Sequence, residues 1–333
     1  MMKDSVFVYP FGGQGKMSSN PYLGNMRKAL ALHYNVLAPT YRWKLPRMLV
    51  FLLNSFKSRI YILNWIENSA FDRGGFLGGL MSLTGLYILK LRKAKMIWIF
   101  HNINSHEGET SWTKRFRRFL FKNCTFIVAH SSEAALYASK LAKCPVYFKN
   151  HPLTKVDYGK WDGVVEGCDF FYWSSVLPYK GLFELLSNPL CKSAGRKILA
   201  VGKCNDTILR EKLESLSNNN IIYENRAADF KEIAAQCRKA KYVIFPYIGD
   251  SISSSGVLMD TLLMGGTPVG PNRGAFADLA AKGCCITYDS IDEIFSLPID
   301  NDNCIRLNPE LVNKFIEENS WEAFGEWMYK TIG

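Results

Sequence analysis

Short apolar runs alternate with stretches of helical periodicity along the whole chain. In the first half the runs fall at residues 6–9, 36–38, 60–64, 96–100, 125–129 and 146–148. Helical patterns fill the gaps at about 21–32, 46–56, 76–93, 112–122 and 132–142. The second half repeats the rhythm, with runs at 170–173, 197–201, 221–223, 242–245 and 267–269 and helices at about 181–187, 206–217, 228–239, 254–265 and 275–281. Brief, fully apolar strands between helices predict parallel sheets covered on both faces. A last helix over about 309–331 follows Asn308-Pro309 and breaks near Asn319-Ser320, where Ser320 is a good N-cap. The expected fold class is α/β: two doubly wound, Rossmann-like domains facing a cleft. The expected boundaries are 1–155, 156–315, and a terminal helix over 316–333 that returns to the first domain.

Charge sharpens the division. The chain has 333 residues and a formal charge of +11. Residues 1–155 hold 23 Lys/Arg against 6 Asp/Glu, and residues 156–333 hold 18 against 24. A basic first domain asks for a polyanionic partner: nucleic acid, an anionic membrane or a phosphorylated lipid. Nine cysteines without a C-x-x-C pair argue against a zinc ribbon or disulfide framework. Residues 1–30 do not read as a signal peptide. The longest uncharged apolar stretch, 76–89, is shorter than the ~20 residues a spanning helix needs; closed by Lys90, Arg92, Lys93 and Lys95, it offers a second membrane-facing surface, but its three glycines suit a buried core helix better.

Candidate chemistry gathers at predicted strand ends, where such sheets bind ligands. Gly12, Gly13 and Gly15 follow the first strand in neither a P-loop nor a dinucleotide spacing. His101-Asn102-Ile103-Asn104-Ser105-His106-Glu107 follows the strand at 96–100, and His130 and His151 follow the next two. Histidines there offer acid–base capacity near neutral pH. Ligation of a metal by His101, His106 and Glu107 is the competing view, but the spacing matches no zinc pattern. In the second half, Tyr179-Lys180-Gly181 lies between a strand and a helix, a lysine placed at a helix N-terminus. The run Ser251-Ile-Ser253-Ser254-Ser255-Gly256 opens another helix that carries Asp260.

The order of these segments resembles the GT-B glycosyltransferases, especially the bacterial polysaccharide enzymes related to family 4. The resemblance spans nearly the whole chain: His-Asn to His-Glu at 101–107, His130-Ser131, His151-Pro152, Tyr179-Lys180-Gly181, Ser254-Ser255-Gly256 and Ser320-Trp321. It implies a nucleotide-diphospho-sugar donor in the second domain, held by Lys180, Ser253, Ser254, Ser255, Gly256 and Asp260. It implies an acceptor in the first, contacted by Gly13, Gly15, Asn102 and His130. Many relatives carry Glu-x7-Glu; here Ile252 and Asp260 stand at those positions, which leaves retention or inversion open. The base for an inverting reaction would be sought at Glu107, His106 and His101, in that order. No cofactor and no metal are expected. The expected partners are a nucleotide-sugar, a glycan or lipid-pyrophosphate-linked acceptor and an anionic membrane, without nucleic acid. The expected location is the cytoplasm, at the inner face of the membrane. The alternatives are a sugar-nucleotide epimerase and a sugar-nucleotide-binding protein without turnover. For membrane contact the expectation falls on 112–122: Phe116, Phe119 and Leu120 as a lipid-facing stripe, flanked by Lys114, Arg115, Arg117, Arg118 and Lys122.

Overall fold

The computed structural model describes residues 3–10, 21–37, 46–68, 75–103, 110–154, 156–249, 255–300 and 302–333. The chain divides into two units, 1–152 with 319–333, and 153–318. The first runs β1 (Ser5–Tyr9), α1 (Pro21–Ala31), β2 (Asn35–Val36), α2 (Arg47–Asn54), β3 (Ile60–Asn64), α3 (Gly75–Leu91), β4 (Lys95–Phe100), α4 (Ser111–Asn123), β5 (Phe126–Ala129), α5 (Ser132–Leu141) and β6 (Val146–Phe148). The second runs β7 (Phe170–Trp173), α6 (Leu182–Ser187), α7 (Pro189–Ser193), β8 (Ile198–Val201), α8 (Thr207–Ser215), β9 (Ile221–Glu224), α9 (Phe230–Lys239), β10 (Tyr242–Ile244), α10 (Gly256–Leu263), β11 (Pro268–Pro271), α11 (Gly274–Ala280), β12 (Ile286–Tyr288), α12 (Ile291–Ile294) and α13 (Pro309–Glu318). Finally α14 (Trp321–Ile332) joins the first unit.

Each unit holds one six-stranded sheet, ordered β2-β1-β3-β4-β5-β6 and β12-β11-β10-β7-β8-β9. Every pairing is parallel. The order reverses between β1 and β3 in the first sheet and between β7 and β10 in the second, which opens a crevice at the carboxyl edge of each. β3 and β7 are buried at every position because helices cover both faces. β12, α7 and α12 were not anticipated. Each has five residues or fewer, too few to show a period.

The break before α14 follows the expected chemistry: the Ser320 hydroxyl accepts from the Ala323 amide. Trp321, Phe324, Met328 and Ile332 then bury one face in the core that β1, β3, β4 and α1 share. Gly325 allows that approach, since a Cβ there would lie 2.8 Å from the Ala29 carbonyl oxygen.

The expectation for 112–122 fails. In α4 the residues Phe116, Phe119 and Leu120 are buried in the first unit's core, against β4, β5 and α3, so they offer nothing to lipid. Arg117 is buried with them: its guanidinium donates to the Ile103 oxygen at 2.6 Å and the Asn102 oxygen at 3.1 Å. The core-helix expectation for 76–89 holds for one face only. Gly78, Gly79, Ser82, Gly85, Leu86 and Leu89 are buried, and Phe76, Leu77, Leu80 and Tyr87 are exposed.

Candidate active site

At the carboxyl edge of the second sheet, a single 3-10 turn (Pro178–Lys180) follows β7 and delivers Lys180 inward. Gly181 makes this possible. Its φ is +66°, and a Cβ would stand 1.8 Å from the Pro246 oxygen, so only glycine lets the turn lie against the segment after β10. Gly202 does the same beside β8, where a Cβ would meet the Ser174 oxygen at 1.9 Å. Lys180 is buried, and its ammonium donates to the Ser174 and Ser175 hydroxyls. Burial lowers its pKa to about 8. Among the described residues no carboxylate pairs with it. Lys180 stands where the sequence placed it, immediately before Gly181, the N-cap of α6, but that helix has only six residues. Lys180 therefore acts as a point charge without a substantial helix dipole behind it.

Around it stand Tyr179 and Tyr247, with ring centroids 6.1 Å apart. Ser255 caps α10 by accepting from the Leu258 amide at 3.2 Å and also hydrogen-bonds the Tyr247 hydroxyl. A cavity of about 380 Å³ continues beyond Tyr247 along the ends of β11 and β12, lined by Asn272, Arg273, Tyr288 and Asp289. The Tyr158 hydroxyl donates to the Asp260 carboxylate, and burial raises the Asp260 pKa to about 6. Ser253 and Ser254 lie outside the described residues.

At the carboxyl edge of the first sheet, three histidines gather around one tyrosine. Tyr22, at the start of α1, meets His101, His130, His151, Trp65 and Trp321, with ring centroids 5.0 to 5.8 Å apart. His130 Nδ1 lies 2.8 Å from the Lys149 carbonyl oxygen, which can only accept, so Nδ1 carries the proton. Nε2 then accepts from the Tyr22 hydroxyl at 2.6 Å. His151 Nδ1 donates to the Pro152 oxygen at 2.9 Å, which leaves Nε2 as an acceptor. Asn64 donates its amide to the Tyr9 oxygen, so its Oδ1 accepts from His101 Nε2 at 3.2 Å, and His101 Nδ1 keeps a lone pair. Burial lowers the pKa of His130 to about 4 and of His151 to about 3, and it pushes His101 well below the ordinary histidine value. All three rings are neutral near pH 7.

Trp65 stacks on His101 with centroids 4.1 Å apart and holds a left-handed backbone, φ +51°. Such a conformation costs a bulky residue ~1–3 kcal/mol and is kept where surrounding contacts impose it. Asn102 is half-buried, with its carbonyl held by Arg117. The structure thus gathers His101, Asn102 and His130, whereas Glu107, His106, Gly13 and Gly15 lie outside the described residues. Sequence reasoning missed Tyr22, Asn64, Trp65, Arg117, Ser174 and Ser175. Only Arg117 had a readable signal: it falls on the Thr113, Phe116 and Leu120 face of α4.

No family model matches the chain, and no curated protein matches it by sequence. Solved structures do match. HepE of Anabaena, crystallised in complex with UDP and glucose, superposes with a TM-score of 0.70 over 99% of both chains at 13% identity. A glycosyltransferase from Rickettsia africae gives 0.64 at 13% identity, over 99% of this chain and 98% of its own. The UDP-forming α,α-trehalose-phosphate synthase of Burkholderia vietnamiensis gives 0.65 at 11%, over 98% and 96%. These similarities show the GT-B fold.

Proposed function

We propose that this chain is a glycosyltransferase that moves a sugar from a nucleotide-diphospho-sugar to a hydroxyl of a lipid-linked glycan. The observation that carries the reading is Lys180: a buried cation held by hydroxyls and by no carboxylate among the described residues, at the point where the second sheet reverses its order. A buried cation without a counter-charge is costly. A diphosphate would supply that charge. When the sugar–phosphate bond breaks, negative charge grows on the departing diphosphate, and a preplaced ammonium in a low-dielectric site stabilises it. The Ser174, Ser175 and Ser255 hydroxyls complete the polar lining.

The first unit supplies the acceptor side. Its neutral imidazoles present lone pairs at His101 Nδ1 and His151 Nε2, suited to accepting hydrogen bonds from sugar hydroxyls or a proton from one. The first unit carries 23 Lys/Arg against 8 Asp/Glu, which favours a pyrophosphate-bearing acceptor at the inner membrane face. HepE's bound UDP makes uridine sugars the first donors to test.

A thermal-shift panel of UDP-, GDP-, dTDP- and CMP-sugars tests the donor half. A true donor at 100 Kd adds about 2.7 kcal/mol of stability, and a flat response across the panel overturns the reading. Glu107→Gln and His106→Ala should each reduce transfer while leaving nucleotide titrations unchanged. Loss of nucleotide binding in either variant would reverse the assignment of donor and acceptor to the two units.

A further inference from the structure

No helix among the described residues is long and apolar enough to cross a membrane. The first unit nevertheless exposes an apolar ridge. Along α3, Phe76, Leu77, Leu80, Tyr87 and Leu91 recur at helical spacing and face solvent, with Phe76 72% and Leu91 81% exposed. No charged side chain interrupts α3 before Lys90. Phe56, just beyond α2, is also 61% exposed and extends the ridge, because α2 packs along α3.

Beside the ridge runs a basic stripe. The exposed positions of α4 are Ser111, Lys114, Arg115, Arg118 and Lys122. Ring contacts tie the two helices together: Phe76 meets Trp112 at 5.3 Å and Tyr87 meets Phe119 at 4.9 Å. The Arg115 guanidinium lies 5.3 Å from the Trp112 ring, and that of Arg92 lies 5.9 Å from Phe56. Lys57, Lys90, Arg92 and Lys93 close the far end of the ridge. Not one aspartate or glutamate occurs in α2, α3 or α4.

We infer that the outer face of α3 and α4 docks on an anionic lipid bilayer, with α3 inserting its side chains between headgroups and α4 holding anionic headgroups. Charge complementarity selects this occupant. A protein partner or second copy would have to answer a rim whose charged positions on α3 and α4 are all basic. This unit has few acidic residues of its own to do so. Nucleic acid would match the stripe but leave the exposed leucines in water. Division of labour between two helices also differs from a single amphipathic helix, since each face here is set by what the other side of its helix buries. The inference deepens the proposed function and rests on its lipid-linked acceptor.

The test is co-sedimentation of the full chain with vesicles of equal parts phosphatidylglycerol and phosphatidylcholine, against phosphatidylcholine alone. Binding to the anionic vesicles only, released by salt, is expected, because exposed charges are screened beyond ~10 Å at 0.1 M. Each Lys or Arg near such a surface contributes roughly fivefold in partition. The combined Arg115→Ser, Arg118→Ser, Lys122→Ser variant should therefore bind on the order of 100-fold more weakly. Leu77→Ser, Leu80→Ser, Leu91→Ser should also lose binding, with a melting temperature near that of the wild type because these side chains are exposed. Equal binding to neutral vesicles, or full binding by either variant, overturns the inference. So does a concentration-dependent dimer in sedimentation velocity that the serine variant abolishes, which would make a second copy the occupant. Nucleotide-sugar titration and transfer to a water-soluble acceptor, run on the same variants, separate the two readings. If both stay intact while vesicle binding never appears, the docking face fails and the enzyme reading stands.

Discussion

The two carboxyl edges solve opposite electrostatic problems. The second sheet buries the ammonium of Lys180 beside hydroxyls that soften its burial without neutralising it, with Arg273 and Asp289 further along the same edge. The first sheet buries three titratable rings; burial keeps all of them neutral, and their hydrogen bonds fix where each proton sits. One edge is incomplete until an anion arrives. Among the described residues, the other presents neutral rings with directional lone pairs. That contrast suits a reaction in which charge develops on one reactant and a hydroxyl must be oriented on the other. A uniform crevice would serve neither task as well.

The sharpest way to break the comparison is Lys180→Met. If the ammonium stabilises a departing diphosphate, turnover should fall about 10²–10³-fold, read from initial rates at saturating donor. The folded protein should gain stability in a denaturant titration, since an isosteric apolar chain replaces a desolvated charge. Turnover near wild type would remove Lys180 from the site, and a loss of stability would show that the cation is structurally matched after all.

Acid and base should separate the edges next. An unfolded histidine takes up a proton near pH 6.5, whereas folded His130 and His151 resist protonation down to about pH 4 and about pH 3. Their folded pKa values are depressed, so their contribution is intact above pH ~6.5 and is lost as pH falls toward 4. Melting curves should show that decline. Donor affinity should fail at the other end, as pH rises through about 8 and Lys180 loses its proton. Titration calorimetry near that pH, in buffers of different ionisation enthalpy, should show proton uptake when the diphosphate binds. A pH-independent affinity up to pH ~10 would contradict an unpaired ammonium, whose ordinary pKa is ~10.4.

Tyr22→Phe is a smaller perturbation. It leaves His130 Nε2 buried without its donor, a cost of about 1–3 kcal/mol in a denaturant titration, and it should leave nucleotide binding alone. Arg117→Lys should act on the acceptor side only. A single ammonium cannot hold the Ile103 and Asn102 carbonyls as the guanidinium fork does, so acceptor KM should rise several-fold while donor KM stays put. A shift in donor KM would tie the two edges together more closely than the contrast allows. The smallest effect should come from Asp260→Asn. If Tyr158 is its main partner, donor KM changes less than about threefold. Stability at pH 7 should rise slightly, because a carboxyl whose folded pKa is raised favours folding most when protonated.

Much of the fold was readable from apolar runs, because strands buried on both faces leave uninterrupted stretches such as 60–64 and 96–100. The Ser320 break was readable because an N-cap is a local event. Orientation was not. The periodicity of α4 shows an apolar stripe and a basic stripe but cannot say whether protein or lipid meets the former. The glycine-rich α3 seemed suited to close contacts all round, yet Gly78, Gly79 and Gly85 face only one side. The histidines were visible as strand-end residues. Their neutrality was not, since it depends on burial by the tertiary fold, and their tautomers depend on groups far apart in sequence, such as the Lys149 carbonyl for His130 and Asn64 for His101.

The return of α14 to the first unit has a consequence for biosynthesis. Residues 1–152 leave the ribosome without Trp321, Phe324, Met328 and Ile332, which complete their core. The whole second unit is translated in between. At ~5–20 residues per second, that leaves roughly ten to thirty seconds in which the face of α1 meant for α14 is open. The ring around Tyr22 closes only when Trp321 arrives. The half made first is thus finished last, and a nascent chain stalled within the second unit would present a histidine edge not yet assembled.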